Sequence, residues 1–277
     1  MRKILNYLRF IYNSPRYLLI YVLFLLTICF LIFESQHEDA LYYNIIRANR
    51  LNLESKSDTV YIRKLMTTIN TMMYNRLYVF QNTEKLSWKN KLFNSVDADL
   101  MYGHGACGGF SKVLARSLKL SGYRVRIGQM RVDGLYGGHI IVEVFLPGVN
   151  RWAVIDPLFL LTFTGKDGNW ADFKEVRDNW SLYETAVPDG YDSRYRYEDI
   201  RYTNWDKIPV VGSLSYRFLC FVLGEKRADA ISIRVWILNK YNTYLVITGI
   251  ANILFVVMSV RRFRRKHRST SIPNHAV

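Results

Sequence analysis

Two uncharged stretches of 17 residues, one near each end of the chain, constrain the fold more than anything else. "YLLIYVLFLLTICFLIF" runs from Tyr17 to Phe33, and "YLVITGIANILFVVMSV" from Tyr244 to Val260. Each approaches the length of a helix that crosses a bilayer, and tyrosines at the edges (Tyr12, Tyr17, Tyr241, Tyr244) extend them at the interface. The first is too long for the apolar core of a secretory signal, and no small-residue cleavage site follows it in "FESQHEDAL", so it reads as an uncleaved signal anchor.

Charge follows the same plan. The net charge of +15 would suit a nucleic-acid binder if it were spread over the chain. Arg2, Lys3, Arg9 and Arg16 precede the first run, and Arg261, Arg262, Arg264, Arg265, Lys266 and Arg268 follow the second, with no acid in either end. The remaining 28 basic residues face 23 acidic ones, an ordinary balance. No nucleic-acid partner is expected. Positive charge stays on the cytoplasmic side of a membrane. The expectation is therefore a two-pass protein of an inner membrane, with both termini cytoplasmic and the central domain extracytoplasmic.

That reading divides the chain into a basic N-terminus (1–16), a span (17–33), a helical part (34–102), a core (103–160), a second extracytoplasmic part (161–242), a span (243–260) and a basic tail (261–277). Within 34–102, "HEDALYYNIIRANRLNLESK" has helical spacing. Asp58 can cap a second helix with Leu65, Met66, Ile69, Met72, Met73 and Leu77 on one side. Gln81–Tyr102 reads as a polar connector with a short helix. From Cys107, apolar residues recur at Phe110, Val113, Leu114 and Leu118, and Gly122 stands where a left-handed C′ residue belongs. Three strands follow: Tyr123–Arg131, His139–Leu146 after the loop "GLYGG", and one from Arg151 to about Pro157. The fold class is α+β: a cysteine-bearing helix packed on an antiparallel sheet, flanked by two transmembrane helices. Beyond Leu158 the pattern weakens into a tyrosine-rich stretch, suited to a long ordered loop over a sheet face or to a groove for glycan or peptide. "SLSYRFLCFVLGEKRADAISIRVWILNK" reads as helical.

The chain has three cysteines. Cys29 falls in the first span and Cys220 in an apolar segment. Cys107 sits in "GHGACGGF", at a helix start, in a compartment that oxidises idle thiols. A helix N-terminus and a nearby imidazolium both lower a thiol's pKa. Of five histidines, only His104 and His139 are placed to reach it. His139 opens a strand and Asp156 closes the next. If two residues join the strands, His139 lies opposite Asp156; if four, Asp156 is one diagonal step away. Both registers put the two side chains on one sheet face, and an odd loop would separate them. A carboxylate there fixes the imidazole tautomer.

"GACGGFSKVLARSLKLSGYRVRIGQM", "GGHIIVEVF" and "RWAVIDPLF" together resemble the transglutaminase-like superfamily, with its papain-like Cys-His-Asp fold, over Gly103–Phe159. The resemblance implies Cys107 as nucleophile, His139 as general base and acid, and Asp156 as its orienting partner. Trp152 and Glu143 match supporting positions. Ile141 departs from the aromatic residue often found two after the histidine. The first oxyanion donor is the backbone N–H of Cys107; His104, Tyr102 or Gln129 could supply a second, and His104 is otherwise a rival base or a positioning residue. The implied activity is acyl transfer through a thioester, hydrolysis of amides or peptides before cross-linking. The implied substrate is a protein or peptide-containing envelope polymer, glycan-linked or not. No cofactor and no metal are implied. The alternative is a non-catalytic binding or scaffold module of a cell-surface polysaccharide or envelope assembly system.

Overall fold

A computed structural model describes residues 2–51, 53, 57–80, 106–205 and 212–269. The chain forms two compact units, residues 1–37 with 239–277, and residues 38–238.

The first unit is helical. It holds α1 (Arg2–Tyr12), the first part of α2 (Pro15–Leu51) and a long helix at Lys240–Ser269. Proline is well placed as the first residue of α2, where no backbone N–H is needed. No glycine or proline follows before Leu51, so the expected separate helix after the first run is instead one continuous helix through it. Both long helices have the length and apolar character to cross a membrane, and they indicate membrane association. Leu19, Leu23, Leu26, Ile250, Ile253 and Leu254 are left uncovered by protein. Polar side chains tie the helices together. Tyr7, Tyr21 and Ser259 join hydroxyls at 2.5 to 3.0 Å, and Ser35 donates to Asn242 Oδ1 at 2.8 Å while accepting from Asn239 Nδ2 at 2.9 Å. Interhelical hydrogen bonds of this kind contribute about 1 kcal/mol each in lipid.

The second unit is α+β. After α3 (Asp58–Phe80) comes α4 (Ala106–Leu120), which ends in a Schellman turn: Gly122 has φ of 95°, its N–H bonds Lys119 O, and that of Tyr123 bonds Leu118 O. The sheet is antiparallel and five-stranded. It comprises β1 (Val125–Val132), β2 (Leu135–Leu146), β3 (Arg151–Asp156), β4 (Leu161–Thr162) and β5 (Ile200–Arg201), in the order β4-β3-β2-β1-β5. Two strands thus join the expected three. "GLYGG" is not a loop: Asp133 and Gly134, with φ of 50° and 79°, make a two-residue hairpin, and Leu135 already pairs with Val132.

Alternation along the strands builds two cores. Val142, Val144 and Leu146 of β2, with Ala153 and Ile155 of β3, pack against Phe110, Val113, Leu114 and Leu118 of α4 and Leu65, Met66 and Ile69 of α3. Ile141 and Val154 point the other way. They meet Phe163, Phe173, Tyr183 and Tyr197 from the tyrosine-rich stretch, which includes the short helices α5 (Phe173–Asp178) and α6 (Trp180–Tyr183). That stretch is ordered cover over a sheet face. The segment expected to be helical before the second span is divided, with a break at Gly224, φ 80°, into α7 (Gly212–Leu223), α8 (Glu225–Asp229) and α9 (Ile233–Trp236).

Candidate functional site

Pro147–Val149 form a single turn of 3-10 helix and Asn150 adopts a left-handed conformation, so four residues join β2 to β3 and Leu146 pairs with Arg151. This is the second of the two registers anticipated above. It places His139 and Asp156 on the face of Ile141 and Val154, and both side chains are fully buried there. Their contact is short: His139 Nε2 lies 2.5 Å from Asp156 Oδ2. The other carboxylate oxygen accepts the N–H groups of Leu158 at 3.1 Å and Phe159 at 3.4 Å, so the turn after β3 holds the carboxylate still.

Two glycines set the approach to His139. The pairing of β1 with β2 slips between Met130 and Arg131, and the slip accommodates Gly137, φ 91°, and Gly138. A Cβ on Gly138 would fall 2.5 Å from Val132 Cβ. Only a residue without a side chain fits there.

Cys107 is half-buried in the first turn of α4. That turn meets β2 beside His139: Ser111 Oγ, one turn on, donates to Ile140 O at 2.8 Å. Burial pushes the thiol's pKa up, but the neighbouring His139 imidazole outweighs it, and the net shift is downward. Burial works against the imidazolium too, yet Asp156 and Cys107 lift His139 from 6.5 to about 9. With Nε2 committed to Asp156, Nδ1 is the nitrogen left for the thiol. It has no partner at hydrogen-bond distance among the described residues, so the thiol contact is looser than the carboxylate contact. Nε2–H donating to Asp156 fixes the tautomer in which Nδ1 can take a proton from sulfur.

The supporting residues form a separate cluster on the same face. Glu143 is buried, which raises its pKa against the pull of Arg126 at 2.8 Å and a hydrogen bond from Tyr202. The Arg126 guanidinium lies between the rings of Trp152 at 3.9 Å and Tyr202 at 4.3 Å. Glu143 and Trp152 thus brace one another through Arg126. Gln129 is buried in β1, paired with Ile140 and Arg201. His104, Tyr102 and the connector 81–102 lie outside the described residues. All three cysteines are free.

The structure adds residues with no sequence signature. Tyr195 stacks on the His139 ring, centroids 4.2 Å apart and planes 12° from parallel, and Phe159 approaches the same ring at 5.9 Å. Tyr191 packs edge-on against both Phe159 and Tyr195. A cavity of about 350 Å³ opens elsewhere, beside β5 and between Tyr136, Trp205 and Tyr216, and does not include the Cys107 group. No family model, no curated protein and no solved structure matches this chain. Chemistry alone therefore decides what the group can do: a thiol with lowered pKa, an imidazole able to carry its proton, and a carboxylate locking that imidazole are the parts of nucleophilic acyl transfer.

Proposed function

We propose that this is a membrane-anchored, transglutaminase-like cysteine enzyme whose central domain faces a cell-envelope substrate outside the inner membrane. The observation that carries the reading is a buried imidazole, His139, held by Asp156 at 2.5 Å on the strand that the first turns of the Cys107 helix meet. The Cys107 thiolate attacks an amide carbonyl. The tetrahedral oxyanion is met by the backbone N–H of Cys107 at the helix start. His139 gives its proton to the departing amine, the C–N bond breaks, and a thioester remains on Cys107. Water, losing a proton to His139, attacks the thioester and releases the acid and the thiol. Basic residues at both chain ends and two candidate spans support the outward placement. The orienting carboxylate and the neighbouring Glu143–Arg126–Trp152 cluster agree with the family resemblance.

The test is to trap the thioester. In a Cys29→Ser, Cys220→Ser background, p-nitrophenyl acetate should give a burst of p-nitrophenolate and an acetyl adduct at Cys107 by peptide mass spectrometry. Both should vanish in Cys107→Ser and weaken about 100-fold or more in His139→Ala, the usual range for losing a general acid–base. Absence of burst and adduct in the parent would overturn the reading in favour of a binding module.

A further inference from the structure

Helix α7 reads GSLSYRFLCFVL, and of its residues only Gly212 is buried. Phe221 is 89% exposed, Leu214 69%, Phe218 63% and Val222 56%. At 3.6 residues per turn these four form one stripe. Arg217 borders it. The opposite side is engaged: the Tyr216 hydroxyl, close to 180° round the helix from the stripe, donates to Asp229 of α8 at 2.8 Å, and its ring approaches Trp205 at 6.0 Å. The stripe is therefore the outward side of a docked helix. A domain surrounded by water does not keep four large apolar side chains in a row on that side without something to cover them.

The covering partner follows from the chain itself. Residue 38 continues from one candidate span, and Leu238 lies two positions before the helix that contains the other. Trp236 is 78% exposed, and Ile237 beside it is also uncovered; both sit within four residues of Lys240. An exposed tryptophan directly ahead of a span suits a bilayer surface. Leu223 lies only 17 positions before Lys240. A helix of 12 residues is about 18 Å long, too short to cross a hydrocarbon core of roughly 30 Å. It has the form of a helix that lies in the interface: an apolar stripe for the acyl chains, and a cation at the edge whose stem can reach headgroup phosphate.

We propose that α7 is a third membrane contact, lying along the bilayer surface with Leu214, Phe218, Phe221 and Val222 among the acyl chains. Lipid, rather than a second protein, is the occupant because the bilayer already adjoins this domain through both of its chain connections. The inference is independent of any chemistry at Cys107.

The experiment uses the full chain with the photoreactive residue p-benzoyl-phenylalanine at position 218 or 221, reconstituted in vesicles of phosphatidylethanolamine and phosphatidylglycerol. Both sites are exposed, so the larger ring meets no packing obstacle. Irradiation should give an intact-protein mass increased by one phospholipid at either site, and little or none when the probe replaces Ser213 or Glu225. A covalent dimer, no adduct, or equal adducts at all four positions would overturn the proposal.

Discussion

His139 is where the pull of opposing effects is clearest. Burial would keep its imidazole neutral, and Asp156 reverses that. The consequence for stability has a definite sign. A histidine whose pKa rises on folding stabilises fully below its unfolded value near 6.5, and that contribution is lost as pH rises through the folded value of about 9. In a Cys107→Ser chain, which removes the thiol's own titration and leaves Asp156 to raise the imidazole, urea unfolding followed by tryptophan fluorescence should show stability falling as pH rises above about 6.5. The fall should be absent when His139→Gln is added. Asp156→Asn keeps the shape and removes the charge, leaving a buried imidazole without its counter-ion. It should lower Cys107 alkylation at pH 6.5 by about tenfold or more, since a unit of pKa is a tenfold change in population. The pairing of His139 with Asp156 was legible because a strand alternates with period two, so any even hairpin loop brings the two together. Tyr195 was not legible. One tyrosine among many in a stretch without periodicity carries no mark that it will stack on an imidazole 56 positions earlier.

Helices and strands of ordinary length announced themselves through spacing, and the short ones did not. The cysteine helix, its Gly122 stop and the hairpin after Leu146 follow from apolar spacing and turn residues. Strands β4 and β5 hold two residues each, too few for alternation to register. The break at Gly224 has no clear mark in the sequence, because the apolar pattern resumes after it. Two elements carry tests of their own. Gly138→Ala forces a Cβ against Val132 and should destabilise the domain by about 1–3 kcal/mol, the cost of overpacking. It should also slow Cys107 alkylation by disturbing the strand that presents His139. Arg116, in the middle of α4, bonds Glu38, Asp39 at 2.7 Å and the Leu238 carbonyl at 3.3 Å, with Glu38 and Arg116 both buried. Arg116→Ala removes a buried cation from Glu38 and Asp39 and should cost about 3–5 kcal/mol in thermal or urea unfolding.

At the scale of the whole molecule, two apolar helices indicate membrane association for a chain whose central unit is α+β. The proposed orientation puts residues 38–238 outside. A phosphatase reporter fused after residue 150 should be active, and a reporter fused after residue 268 should behave as cytoplasmic; the reverse pattern would contradict the orientation and the envelope substrate with it. The central claim, however, is that Cys107 is a thiolate activated by His139. The most direct measurement is the pH dependence of iodoacetamide labelling of Cys107, with Cys29 and Cys220 replaced by serine, in the parent and in His139→Ala. A rate that stays high well below pH 8 in the parent and collapses in the variant is the expected result. A rate that follows an ordinary thiol in both, rising only toward pH 8.5, would contradict the account.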